Sequence, residues 1–209
     1  MAAAESTWWV ELIKASPGLV TAGLVIGIVV AYRKEMRTLL SNMTKFKGLG
    51  IEAEFGGKQM NEAIAAHKVP VSDGDRKGAL RRLQFVAPLL RDLRVLWVDD
   101  DPAGNRHERA LLEDFGVRVT TATTSAEAEQ ALTQSEFHLV VTDLNREGKP
   151  TEGLEFVART LQAGIYRWTV AYVGTDQRNK AMPAGLFGIT NRPDHLMHLV
   201  CDVAERERL

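Results

Sequence analysis

The chain has 209 residues, with 26 basic and 27 acidic side chains and a net charge of −1. That length suits one ordinary domain with an appendage, and the balanced charge, without a polybasic tail, excludes a nucleic-acid binder working through a basic face. The single cysteine, Cys201, excludes an internal disulfide and fits a reducing compartment.

The N-terminus differs from the rest. Pro17 to Tyr32 carries no charge, at the short end of what crosses a bilayer, about 17 residues. Trp8 and Trp9 precede this run and Tyr32 ends it, as in the aromatic belts of membrane interfaces. Arg33, Lys34, Arg37, Lys45 and Lys47 follow it, against Lys14 before it. Residues 1–32 are therefore expected to hold a single transmembrane helix, N-terminus outside and the remainder cytoplasmic, as in a bacterial inner membrane. A cleaved leader would carry its charge on the other side. Gly23, Gly27 and Ala31 recur four apart, a spacing that lets two such helices approach closely and predicts a homo-oligomer.

Residues 33–93 read as a mostly helical stalk. Met36, Leu39, Leu40, Met43 and Phe46 form a helical apolar stripe over 33–47. Ile51 to Phe55 alternates apolar and acidic residues, as a short strand does. Lys58 to His67 predicts a helix, Lys68 to Lys77 has the Pro, Gly, Ser and Asp of a linker, and Ala79 to Leu93 predicts a helix containing Pro88.

From 94 to 209 strand and helix patterns alternate. The strands fall at Arg94–Val98, Val117–Ala122, His138–Thr142, Thr169–Val173 and Gly188–Asn191; the helices fall at Asn105–Phe115, Ser125–Gln134, Gly153–Ala163, a short Gln177–Met182 and Asp194–Arg206. Strands joined by single helices require crossovers and a parallel sheet. Near-continuous apolar strands require cover on both faces. The expected fold is α/β, a flavodoxin-like doubly wound sheet in the order 2-1-3-4-5.

Two strands end in acid. Val95-Leu96-Trp97-Val98 runs into Asp99, Asp100 and Asp101, and Leu139-Val140-Val141-Thr142 runs into Asp143. Unpaired carboxylates cost several kcal/mol to bury, so they belong at the strand mouths, in water or on a metal. The carboxyl edge of an open α/β sheet is where ligands bind. Asp101 lies past the strand, as a surface residue or helix cap. There is no P-loop, dinucleotide fingerprint or nucleophile elbow, and His195 and His198 lack partners at metal spacing. No general acid–base pair or nucleophile stands outside the Asp cluster, which argues against an enzyme.

These residues, with Gly153-Leu154-Glu155-Phe156 and Gly188-Ile189-Thr190-Asn191-Arg192-Pro193, resemble the receiver domain of two-component response regulators over a little more than half the chain. The resemblance implies that Asp99 and Asp100 are the pair that binds Mg²⁺, that Asp143 accepts a phosphoryl group from a histidine kinase, and that the Asn145 carbonyl completes the metal shell. Hard oxygen donors suit that ion. The sequence departs from the family at two places. Arg192 stands where the family has Lys, and Gly174 stands where it has a switch hydroxyl, with Thr175 one residue late.

The function expected is a membrane-anchored signalling protein whose receiver-like domain switches oligomerisation or partner binding. The alternative is a phosphorylation-independent membrane effector, as in bacterial stress or defence signalling. It would sense a small anionic messenger such as a nucleotide through Arg192, Arg146, Lys149 and the Gly174-Thr175 loop.

Overall fold

The structure, a computed structural model, describes residues 56–146, 148–165, 167–175 and 181–207. The chain divides after Leu49, and every described residue lies in the unit Gly50–Leu209. The segment expected to cross the membrane, its Gly23, Gly27 and Ala31, the stripe over 33–47 and the strand 51–55 all lie outside the described residues, as does most of the helix expected at Gln177–Met182. Among the described residues no helix is long and apolar enough to cross a membrane.

The strands β1 (Arg94–Val98), β2 (Arg118–Ala122), β3 (Leu139–Thr142), β4 (Trp168–Tyr172) and β5 (Gly188–Thr190) form one parallel sheet in the order β2-β1-β3-β4-β5. The alternating residues of β1 and β3 feed two cores. Val95, Trp97, Leu139, Val141, Val170 and Tyr172 join one cluster with α3 (Arg106–Asp114) and α6 (Pro193–Arg206). Leu96, Val98 and Val140 join the other with α4 (Ser125–Gln134) and α5 (Glu152–Gln162). This two-faced burial is why β1 and β3 read as unbroken apolar runs.

The boundary expected at residue 94 is displaced. Helix α1 (residues 56–67) and α2 (Asp73–Leu90) carry Met60, Ala79, Leu83, Val86 and Leu90 into the first core, so they are part of the folded unit rather than a stalk beside it. The reason lies in α6, where Leu196, Met197, Leu199, Val200, Cys201, Val203 and Ala204 are all buried. A helix apolar around most of its circumference must be covered on its outer side as well, and α2 packs against it there. Fully buried Leu83 and Leu90 contribute about 2 kcal/mol each. The part-exposed pair of Arg82 with Glu205, Nη2 to Oε2 2.9 Å, is worth under about 1 kcal/mol. The apolar stripe therefore holds α2 and the ion pairs set its register.

The linker residues also fold: Ser72 caps α2, its Oγ accepting the Asp75 N–H at 3.1 Å. At the end of α1, His67 Nε2 lies 2.8 Å from Oε1 of the fully buried Glu108 on α3. The Tyr172 hydroxyl donates to the same oxygen at 2.8 Å. Burial and the Glu108 charge push the Tyr172 phenol well above its ordinary range.

Candidate functional site

Val98 and Thr142 are partners in the β1–β3 ladder, so the next residues, Asp99 and Asp143, leave the sheet side by side. The Asp143 N–H donates to the Val98 carbonyl at 3.1 Å and the Asp99 N–H to the Ala122 carbonyl at 3.0 Å. Both carboxylates are held locally. Asp99 Oδ1 accepts the Asp101 N–H at 2.8 Å, and its Oδ2 accepts the Asn105 amide at 2.5 Å. Asp143 Oδ1 accepts the Leu144 N–H at 2.7 Å. Asp100 and Asn145 are exposed beside them, and exposed Asp101 caps the following turn by accepting the Ala103 N–H at 3.2 Å.

The charges at this edge oppose one another. Burial pushes the Asp99 carboxyl up to about 6, with Asp143, Asp100 and Asp101 adding repulsion. Burial also raises Asp143, with Asp100 adding to it, while the N–H groups of Asn145 and Leu144 and the charge of Arg146 draw it back. Among the described residues no three His, Cys, Asp or Glu side chains are grouped as a ligand set. The acidic edge is thus a concentration of hard oxygen donors short of positive charge, which is the chemistry a divalent cation fits.

A cleft of about 480 Å³ opens from Asp143 and Asn145 past Leu154 and Ile189 to Gly174 and Thr175. The structure therefore gathers six of the expected residues at one edge: Asp99, Asp100, Asp143, Asn145, Gly174 and Thr175. Among the described residues nothing lies within 4 Å of where a Cβ on Gly174 would stand. A larger cavity, about 730 Å³, lies away from this chemistry between Arg94, His138, Trp168 and Phe187.

Three cations expected near the cleft are turned elsewhere. Arg192 donates to both oxygens of Asp194, at 3.1 and 2.6 Å, and to Asp75 Oδ2 of α2 at 2.9 Å. Asp194 is almost fully buried, and its need for a counter-charge draws the guanidinium toward α2 and α6. Lys149 lies 3.6 Å from Glu152 Oε2. Arg146, expected to help bind an anionic messenger, is fully buried: Nε donates to the Asp143 carbonyl at 2.9 Å and Nη2 to Ser125 Oγ at 3.2 Å.

Sequence reasoning missed Asn105. It stands at the cap position of α3 but makes no side-chain capping bond, because its amide reaches Asp99. Its own Oδ1 accepts from Arg109, which lies 5.9 Å above the Trp97 ring. The nearby acidic run is the signal that an Asn here serves a carboxylate. Gly153 was legible only as part of a motif. Its N–H donates to the Leu144 carbonyl at 3.0 Å, and a Cβ there would overlap the Asp143 carbonyl and come within 2.6 Å of Leu144 Cα. Only glycine lets α5 start this close to the acidic strand mouth.

A parallel sheet ordered 2-1-3-4-5 is the topology of the flavodoxin-like doubly wound fold. No family model matches the chain, and no curated protein does. Among solved structures it is similar to the receiver domain of Francisella response regulator 1452, at 17% identity and TM-score 0.50, covering 56% of this chain and 99% of that one. It is similar to the signal receiver domain of a Luxo repressor protein from Vibrio parahaemolyticus, at 18% identity and TM-score 0.50, covering 56% and 93%. A response regulator from Thermotoga maritima in complex with Mg²⁺ and beryllofluoride matches at 20% identity and TM-score 0.46, covering 53% and 97%. At these identities the two structures with TM-score 0.50 speak for the fold alone.

Proposed function

We propose that the chain is a membrane-tethered signalling protein whose receiver domain holds Mg²⁺ through Asp99, Asp100, Asp143 and the Asn145 carbonyl and accepts a phosphoryl group on Asp143. The observation that carries this reading is geometric: Val98 and Thr142 are ladder partners, so Asp99 and Asp143 leave two neighbouring strand mouths side by side, with Asp100 and Asn145 exposed beside them. The ion would supply the missing positive charge and offset the charge of a transferring phosphoryl group. Asp99, engaged by Asp101 and Asn105, is a fixed supporting carboxylate, and exposed Asp100 stands on the open side.

In the transfer, a carboxylate oxygen of Asp143 forms a bond to phosphorus as the donor's bond to phosphorus breaks and its leaving group departs with the electron pair. The added charge shifts a pre-existing equilibrium of the surface around β4 and β5 toward partner binding or self-association. A histidine kinase is the donor class the reading implies, and the apolar segment 17–32 is the tether. Incubating the full-length protein with Mg²⁺ and acetyl phosphate and weighing it intact is the direct test. A phosphoryl adduct on the wild type that vanishes in Asp143→Ala supports the reading; no adduct, or the same adduct in both, removes phosphotransfer.

A further inference from the structure

Arg146 is the charged side chain whose burial calls for a reason. It has no exposed surface, and burying a charge costs several kcal/mol unless it is matched. A methionine would fill the same space against Phe156, over which the guanidinium lies at 5.4 Å, with no desolvation cost. What a methionine could not do is donate hydrogen bonds. The Asp143 carbonyl lies just beyond the last residue of β3 in the ladder, and a buried carbonyl without partners is costly. Arg146 Nε reaches it at 2.9 Å and Thr142 Oγ1 at 3.0 Å. The other end of the guanidinium donates to Ser125 Oγ on α4, and that hydroxyl donates to Glu152 Oε1 of α5 at 2.7 Å. Glu152 is held in turn by Arg159, Nη2 to Oε1 3.0 Å.

We propose that Arg146 is a positioning residue for Asp143: its buried guanidinium clamps the main chain of the acceptor to α4 and α5 and so sets where the carboxylate stands at the sheet edge. The phosphotransfer half rests on the function proposed above; the clamp does not. A charge-assisted bond from a planar fork to a carbonyl is both stronger and more directional than a neutral one, and the positive charge also draws on the Asp143 carboxylate. Arg146 touches the backbone rather than the reacting atoms, so it acts through Asp143.

The test uses full-length Arg146→Met and Arg146→Lys. Amide exchange is followed at Gly153, whose N–H bonds Leu144 beside the clamp, and at core amides of β1. Adduct formation from acetyl phosphate with Mg²⁺ is split into maximal rate and the donor concentration at half rate. Arg146→Met is expected to speed Gly153 exchange roughly tenfold with β1 unchanged, and to lower the maximal rate roughly tenfold at unchanged half-saturation, the factor one hydrogen bond of this class supplies. Arg146→Lys, which keeps a charge and one donor, is expected to recover part of both. Unchanged Gly153 exchange, or an equal rise at β1 that reports general loosening, overturns the clamp. If Arg146→Met does not fold, the lysine variant carries the same comparison, and wild-type values there overturn it equally. Faster Gly153 exchange in Arg146→Met, in a protein whose wild type forms no adduct, removes phosphotransfer and leaves the positioning role standing.

Discussion

The carboxylates of this molecule fall into two neighbouring groups that solve the same problem in opposite ways. At the acidic edge, Asp99 and Asp143 face other acids and are pushed above their ordinary range. Behind it, Glu152 is further out of solvent than either but is met by Ser125, Arg159 and Lys149, which hold it down to about 2. The second group is complete as it stands; the first is complete only with something added. A protein keeps such imbalance where a ligand resolves it, and the cation site is proposed at this edge for that reason.

The largest expected effect comes from the residue that joins the two groups. Gly153→Ala would drive a methyl group into the Asp143 carbonyl, separating α5 from the strand mouth. A loss of about 3 kcal/mol is expected in denaturant melts, with weaker Mg²⁺ binding in calorimetry. A near-neutral result would mean that the two groups are not mechanically joined.

Next is the satisfied group itself. Glu152→Gln keeps the shape but weakens the bonds from Ser125 and Arg159. Because Arg159 is itself 42% exposed, solvent screening limits the loss, and about 2 kcal/mol is expected from the melting curve.

The acidity of the solution separates the two groups by sign. Asp99 titrates near 6 in the folded protein against an ordinary 3.8, so the folded state retains a proton that the unfolded chain releases. Stability from this group is present below about 3.8 and falls as pH rises through about 6, by about 1–2 kcal/mol after allowance for screening. Glu152 runs the other way. Its contribution is present above its ordinary 4.5 and is lost as pH falls toward 2. Melting temperature against pH in a chelator should fall between pH 4 and 7, and millimolar Mg²⁺ should abolish that fall. A flat chelator curve would show that the edge is not strained.

The smallest expected effect is at Gly174, where among the described residues nothing lies within 4 Å of an added Cβ. Gly174→Thr should change stability by under about 0.5 kcal/mol while placing a hydroxyl in the cleft beside Asp143. The measurement is the yield of the Asp143 adduct at fixed acetyl phosphate, expected to rise; an unchanged yield would show that the cleft functions without that hydroxyl.

Much of the fold was legible because its signals are local. The β1 range Arg94–Val98 and the helix Ser125–Gln134 coincide with their expected limits; β2, β3 and β5 differ by one residue at one end, and β4 is shifted by one residue toward the N-terminus. The cap of α4 shows the limit of local reading. Ser125 looks like the cap, but Thr124 takes that role, its Oγ1 accepting the Glu127 N–H at 3.2 Å, because Ser125 is turned inward to Glu152 and Arg146. Both residues can cap a helix, and only the far partner decides between them.

By itself the sequence determined the alternation of strand and helix, the parallel sheet that follows from it, and the convergence of acidic residues at two strand mouths, since each depends on spacing along the chain. Tertiary structure alone decided where the cations went. Arg192 was drawn to Asp75 and Asp194, Lys149 to Glu152, and Arg146 into the interior behind Asp143. It also decided that α1 and α2 belong to the core. Long basic side chains reach whichever buried carboxylate or carbonyl most needs a partner, and an apolar helix face takes whatever neighbour can cover it; both choices are made between residues far apart in the chain.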